Sequence, residues 1–164
     1  MNDAFCEQLV PRKTDLKDVA LLILSIAATL LLTTLLANFI GSFSILLFVA
    51  AAIGIWYYLV PRLKKEYEYY LLNYTLEVSL IQNKANRNSV IEFDIRKAEI
   101  VAPTGSSSLN TYRTTKSLDF TSGVKGATTY TIIVPIERDV YRIMIEPDEN
   151  ITEQMKLWLG PKML

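Results

Sequence analysis

No histidine occurs in the 164 residues, and cysteine occurs once, at Cys6. Zinc centres are built from histidine or from several cysteines, so the composition argues against a structural or catalytic zinc site, and a lone thiol cannot close an internal disulfide. A cysteine nucleophile needs a neighbouring base, usually histidine. Cys6 falls among apolar residues and reads as packing. Net charge is absent too: Lys+Arg 17 offset Asp+Glu 17, and residues 61–164 hold 14 basic against 13 acidic residues. Nucleic acid requires a basic field against its phosphates, and this chain offers none. The last absence is local. No charged residue occurs among the 42 residues from Val19 to Val60.

One bilayer crossing takes about 20 apolar residues, so this run has room for two crossings and a tight turn. The expected spans are about 19–37 and 43–60. Asn38, Gly41 and Ser42 supply turn chemistry between them, and Pro61, which lacks an amide proton, ends the second. A cleaved secretory signal is the rival reading. The stretch Val19–Leu36 exceeds the about 7–15 residues of a signal core, Ala37 offers a poor cleavage site, and a second apolar span follows at once.

Basic residues set the orientation. Arg12, Lys13 and Lys17 precede the first span, Arg62, Lys64 and Lys65 follow the second, and the turn has none. The positive-inside rule then places both termini of a multi-pass membrane protein in the cytoplasm. Trp56, Tyr57 and Tyr58 stand where amphipathic rings favour the headgroup layer. Ser25, Thr29 and Thr33 recur every four residues on the first helix, and Ala50 and Gly54 do so on the second. A turn near 39–40 would set Ser25 against Gly54 and Thr29 against Ala50, with hydroxyls bonding across to facing carbonyls. No charged residue lies within the spans, which argues against a transport pathway.

The arm, residues 1–18, carries Phe5, Cys6, Leu9 and Val10 at helical spacing before Pro11 and reads as a short amphipathic helix. Residues 61–66 form a basic juxtamembrane linker. From Tyr67 the period changes to two. Leu76, Val78 and Leu80 alternate with polar residues, as do Ile91, Phe93 and Ile95, then Tyr130, Ile132 and Val134, then Tyr141, Ile143 and Ile145. Residues 83–89 read as a polar turn, and Ile100–Val101 and Leu118–Phe120 as short strands. Six or seven antiparallel strands are expected. A helix over 149–159 follows, capped by Asp148 or Asn150 and ended by Gly160-Pro161. Its apolar face holds Ile151, Met155, Trp158 and Leu159, with Trp158 as the expected main anchor.

The predicted class is an α+β membrane protein: a two-helix transmembrane hairpin followed by a cytoplasmic antiparallel sandwich or barrel, residues 67–164, closed by its C-terminal helix. This is the pleckstrin-homology-like (PH-like) plan. The segment Tyr67–Pro103 resembles the opening of bacterial PH-like domains. The whole chain is similar to an uncharacterised two-span membrane family of Gram-positive bacteria. The similarity is carried by Met1, Asn2, Phe5, Glu7, Leu9 and Val10 in the arm, by Phe120-Thr121-Ser122-Gly123, and by Glu146-Pro147 before the last helix. These motifs are structural, and the resemblance implies no activity.

No catalytic or cofactor motif stands up. Gly123-Val124-Lys125-Gly126 lacks the frame and following helix of a phosphate loop, and Glu92 and Asp94 lie on the solvent side of an alternating strand. The turn Asn73-Tyr74-Thr75 has no cation of the kind that inositol lipids require. The chain is therefore read as non-enzymatic, without cofactor, nucleic-acid partner or small-molecule substrate. Its expected partners are the bilayer and either a protein or a second copy, contacted through the loops 104–112 and 122–128. An anionic-lipid module using the basic collar with Lys84 and Arg87 is the alternative; a membrane enzyme is the remaining one.

Overall fold

The computed structural model describes residues 5–82 and 86–164. Met1, Asn2 and Lys84, which figure in the sequence reading, lie outside the described residues, as does the side chain of Arg62. The chain divides into two compact units, one built on residues 14–65 and the other on residues up to 13 and from 66 onward, except 82–84.

The first unit is helical. Helix α1 spans Leu16–Ile40, a 3-10 turn spans Gly41–Phe43, and helix α2 spans Ser44–Tyr58. Together Leu16–Tyr58 make a 43-residue helical stretch, long and apolar enough to cross a membrane by length and composition. No residue of α1 is buried, and in α2 only Ser44 is. Gly41 adopts φ +57°, a left-handed conformation that favours glycine, and its N–H closes α1 on Ala37 O. Asn38 stays inside α1 instead of forming the turn, which falls at 41–43. Pro61 does not end the helical segment either. It sits in the first turn of a short helix α3, Val60–Leu63, where a missing N–H costs nothing. Within residues 61–66, α3 takes the first three and a strand begins at Lys65.

Contacts join the two ends of this unit. The Thr14 hydroxyl donates to Leu63 O at 3.2 Å, and Lys65 Nζ lies 3.1 Å from Asp18 Oδ2. Leu22, Ile26 and Thr29 share an apolar crevice of about 320 Å³ with Phe48, Ile55 and Val60. Ser25, Thr29 and Thr33 do not reach across to another helix. Each hydroxyl donates at 2.8 Å to a carbonyl of its own helix: Leu22, Ser25 and Thr29 respectively. This local bond is the ordinary resource of a helical hydroxyl. Ala50 is exposed, and a Cβ added at Gly54 would meet nothing within 4 Å. Thr29 lines its crevice together with Phe48 and Ala52. Gly54→Ala is therefore expected to leave detergent-solubilised stability unchanged or raise it by up to about 1 kcal/mol, the helix propensity gain. A drop in melting temperature would show that glycine permits a close approach there.

The second unit holds two four-stranded sheets. The first runs β1 (Phe5–Pro11), β2 (Lys65–Leu72), β3 (Thr75–Gln82), β4 (Asn86–Asp94) in that spatial order. The second is built from β5 (Ile100–Pro103), β6 (Lys116–Asp119), β7 (Tyr130–Ile136) and β8 (Asp139–Ile145), in the order β5-β7-β8-β6. Helix α4, Glu149–Leu159, follows.

Three expectations are corrected here. The arm is a strand, not a helix: β1 pairs antiparallel with β2 from Phe5↔Leu72 to Pro11↔Glu66. Cys6, Gln8 and Val10 face inward, and Phe5, Glu7 and Leu9 outward. Eight strands are present among the described residues, and β6 pairs parallel with β8. The connection from β6 to β7 is a crossover, so the short-hairpin rule does not govern β6. Residues 86–89 belong to β4 and not to a turn.

The core lies between the sheets and under α4. Tyr69, Leu71, Leu76, Val78, Ile132, Ile143 and Ile145 are fully buried in it. From α4 come Ile151, Met155 and Leu159, spaced four apart. Trp158 is only half-buried, packed on Tyr74 at 5.0 Å between ring centroids, so it is not the main anchor. A smaller cluster of Ile100, Ala102, Leu109 and Ile133 covers the outside of the second sheet.

Candidate functional site

The three sequence pieces that carried the family resemblance meet around one buried tyrosine. Tyr69 stands on the inner face of β2, with 0% exposure. Its hydroxyl donates to Phe120 O at 2.6 Å and accepts from Glu146 N–H at 3.1 Å. The Glu146 carboxylate accepts from Ser122 N–H at 2.9 Å. From the arm, the Gln8 amide donates to Glu146 O at 3.0 Å and accepts from Asp148 N–H at 2.8 Å. Asp148 in turn caps α4, its Oδ1 accepting from Ile151 N–H at 2.9 Å. Lys13 N–H donates to Ser122 O at 2.8 Å. Burial pushes the Tyr69 phenol well above its ordinary value, and the neighbouring Glu146 charge adds to the push, so it stays protonated and keeps donating.

Sequence reasoning did not single out Tyr69 or Gln8. A glutamine amide offers one donor and one acceptor, which suits a position bridging a carbonyl and an N–H. Its presence in an otherwise apolar inward face was the available signal. Of the proposed helix caps, Asp148 holds the position; the Asn150 side chain is exposed and makes no hydrogen bond among the described residues.

Beside this network a groove of about 400 Å³ runs between β1 and the first turns of α4. Phe5, Cys6 and Glu7 form one wall; Asp148, Asn150, Glu153 and Gln154 form the other. Burial, with the Asp148 charge nearby, pushes the Cys6 thiol above its ordinary value, which disfavours the thiolate. Its half-buried side chain packs on the core.

The predicted interface residues are distributed as follows. Trp56, Tyr57 and Tyr58 are about 70% exposed, at 72%, 71% and 69%. Arg12 donates to the Tyr67 hydroxyl and lies over its ring. Lys13, Lys17 and Lys64 are exposed, while Lys65 is held by Asp18. Arg87 pairs with buried Glu68 at 2.8 Å. Asp94 is engaged as well: it takes Arg96 in a two-pronged contact as short as 2.6 Å, and these bonds hold its carboxyl below the usual range. The Arg96 guanidinium sits 4.1 Å from the Tyr74 ring centroid. Part of the loop 104–112 is not free for contact, because Leu109 is buried under its own 3-10 turn.

Two four-stranded sheets with a C-terminal helix packed on their shared core define the class, a PH-like domain. The chain belongs to the family described as Bacterial PH-like domain (DUF6106), whose profile matches residues 2–164 and so takes in the helical unit as well as the sheets. Comparison with curated proteins gives no match.

Proposed function

We propose that this chain is a non-enzymatic membrane-anchored binding module. The apolar stretch forms a transmembrane helical hairpin that crosses the bilayer twice, and the PH-like domain stands on the cytoplasmic face, where it holds a protein partner or a second copy. The observation that carries the reading is the 43-residue apolar helical stretch, Leu16–Tyr58, in one chain with a domain of the Bacterial PH-like family. Apolar side chains such as Leu24, Phe39 and Leu46, each more than 60% exposed, lie uncovered along the stretch, which in water would be an aggregation surface and in lipid is the required one. The contacts Thr14–Leu63 and Asp18–Lys65 support two passes, since they bring the ends of the stretch together. The flanking lysines and arginines support cytoplasmic termini.

Anionic-lipid recognition is the weaker alternative, because Lys65 and Arg87 already have carboxylate partners in Asp18 and Glu68. Cross-linking of the full chain in native membranes, read by mass spectrometry, tests the reading. The expected result is a defined partner, or a second copy, joined through residues 66–164. Recovery of only the uncrosslinked monomer would overturn it.

A further inference from the structure

We infer that the groove between β1 and α4 receives an extended basic segment of a partner protein, which adds as a further strand to the free edge of β1. This rests on the binding-module reading above and names where and what that module binds.

β1 is the edge of its sheet, with β2 on its only paired side among the described residues. Successive side chains of a strand point to opposite faces. A cavity lined by three consecutive residues, Phe5, Cys6 and Glu7, therefore lies along the strand's edge, where backbone N–H and C=O groups project, and not over one face. An open edge of this kind is a template for main-chain pairing, and natural sheets cover or block such edges unless they are used. Among the described residues no strand pairs with the outer side of β1, and no lysine stands at positions 5–7 beside the groove. Phe5 is 53% exposed beside the groove.

The opposite wall sets the chemistry. Glu7, Asp148 and Glu153 bring three carboxylates to the groove, and among the described residues no lysine or arginine lines it. The side chains of Glu7, Asn150, Glu153 and Gln154 make no hydrogen bond or ion pair with other described residues, so they are available to a ligand. Among the described residues no group of acidic side chains is gathered closely enough to hold a metal ion. The carboxylates are instead spread along both walls. That spacing suits lysine or arginine side chains alternating along a strand, with the backbone supplying affinity and the charges supplying selection.

The experiment uses the full chain in a zwitterionic detergent and a fluorescent alternating Lys-Val peptide of about eight residues, a typical strand length. Anisotropy titration is expected to show saturable binding that weakens with salt. Glu7→Lys combined with Glu153→Lys should weaken it about tenfold or more, since like charges would then face each other. Glu92→Lys, a charge reversal on exposed β4, should leave it unchanged. A peptide of the same sequence N-methylated at alternate residues keeps its charge and loses amide donors; its binding should fall by a comparable factor. Equal binding of the methylated peptide, equal binding of a Glu-Val peptide, or an equal loss with Glu92→Lys would each overturn the groove assignment. Partner cross-linking that persists in the Glu7/Glu153 double variant would leave the binding module standing and remove this site from it. Loss of cross-linking in the unaltered chain would remove the module itself.

Discussion

Tyr69→Phe is expected to lower the stability of the sheet domain by about 2–4 kcal/mol, although it deletes a single oxygen. That oxygen serves both Phe120 O and Glu146 N–H. Without it a buried carbonyl loses its partner, at about 1–3 kcal/mol, and a partly buried N–H loses its own at the lower end of that range. The same substitution should change the response to alkali. Burial raises the folded-state phenol above the unfolded value of about 10. A group raised in this way contributes stability that is fully present below the unfolded pKa and is lost as pH rises past it. The unaltered chain should therefore lose stability above about pH 10 more steeply than the Phe variant. Thermal unfolding followed by near-ultraviolet circular dichroism, from neutral to alkaline pH, measures both effects. An unchanged midpoint at neutral pH would show that Tyr69 does not join the two sheets.

Met155→Ala and Ile151→Ala carry the second large effect. Both side chains are fully buried between α4 and the sheets. Truncation leaves a cavity and should cost about 2–5 kcal/mol. Trp158→Ala removes a larger side chain, but one that is half-buried and whose ring contact is with Tyr74. Its expected cost is about 1–2 kcal/mol, a partial burial plus an aromatic pair. Denaturant midpoints of the three variants give the order directly. If Trp158→Ala proved the most damaging, the packing of α4 described above would be wrong.

That ranking illustrates what the amino-acid sequence made legible. The limits of α4, the Asp148 cap and the Gly160 stop were readable, because capping chemistry and four-residue spacing are local. The choice among Met155, Trp158 and Leu159 was not. All three fall on one broad face, and only the sheet beneath decides which of them points at its centre. The alternating runs of β3, β7 and β8 were readable for the same local reason. β4 was half-missed because an edge strand presents polar residues to water, and Asn86–Ser89 resemble a turn in composition. The arm misled most. Phe5, Cys6, Leu9 and Val10 fit a helical spacing, and Gln8 interrupts the alternation that marks a strand. Its amide faces inward because Glu146 O and Asp148 N–H, nearly 140 residues away in sequence, satisfy it there. A polar group whose partner is that distant leaves no trace in periodicity. The groove beside α4 shares this origin, since one of its walls is the misread arm. The Ser25, Thr29 and Thr33 series was visible as a pattern, but a helical hydroxyl has a carbonyl of its own within reach, so the pattern alone did not specify a facing helix.

The proposed two-pass anchor keeps the PH-like domain in the cytoplasm, and thiol accessibility in intact cells decides whether it does. In a Cys6→Ser background, Ser42→Cys places a thiol in the turn between α1 and α2, and Ser107→Cys places one in the sheet domain. A membrane-impermeant maleimide should label the thiol at position 42 in whole cells and the thiol at position 107 only after lysis. Labelling of both positions from the outside, or of neither until lysis, would contradict the account.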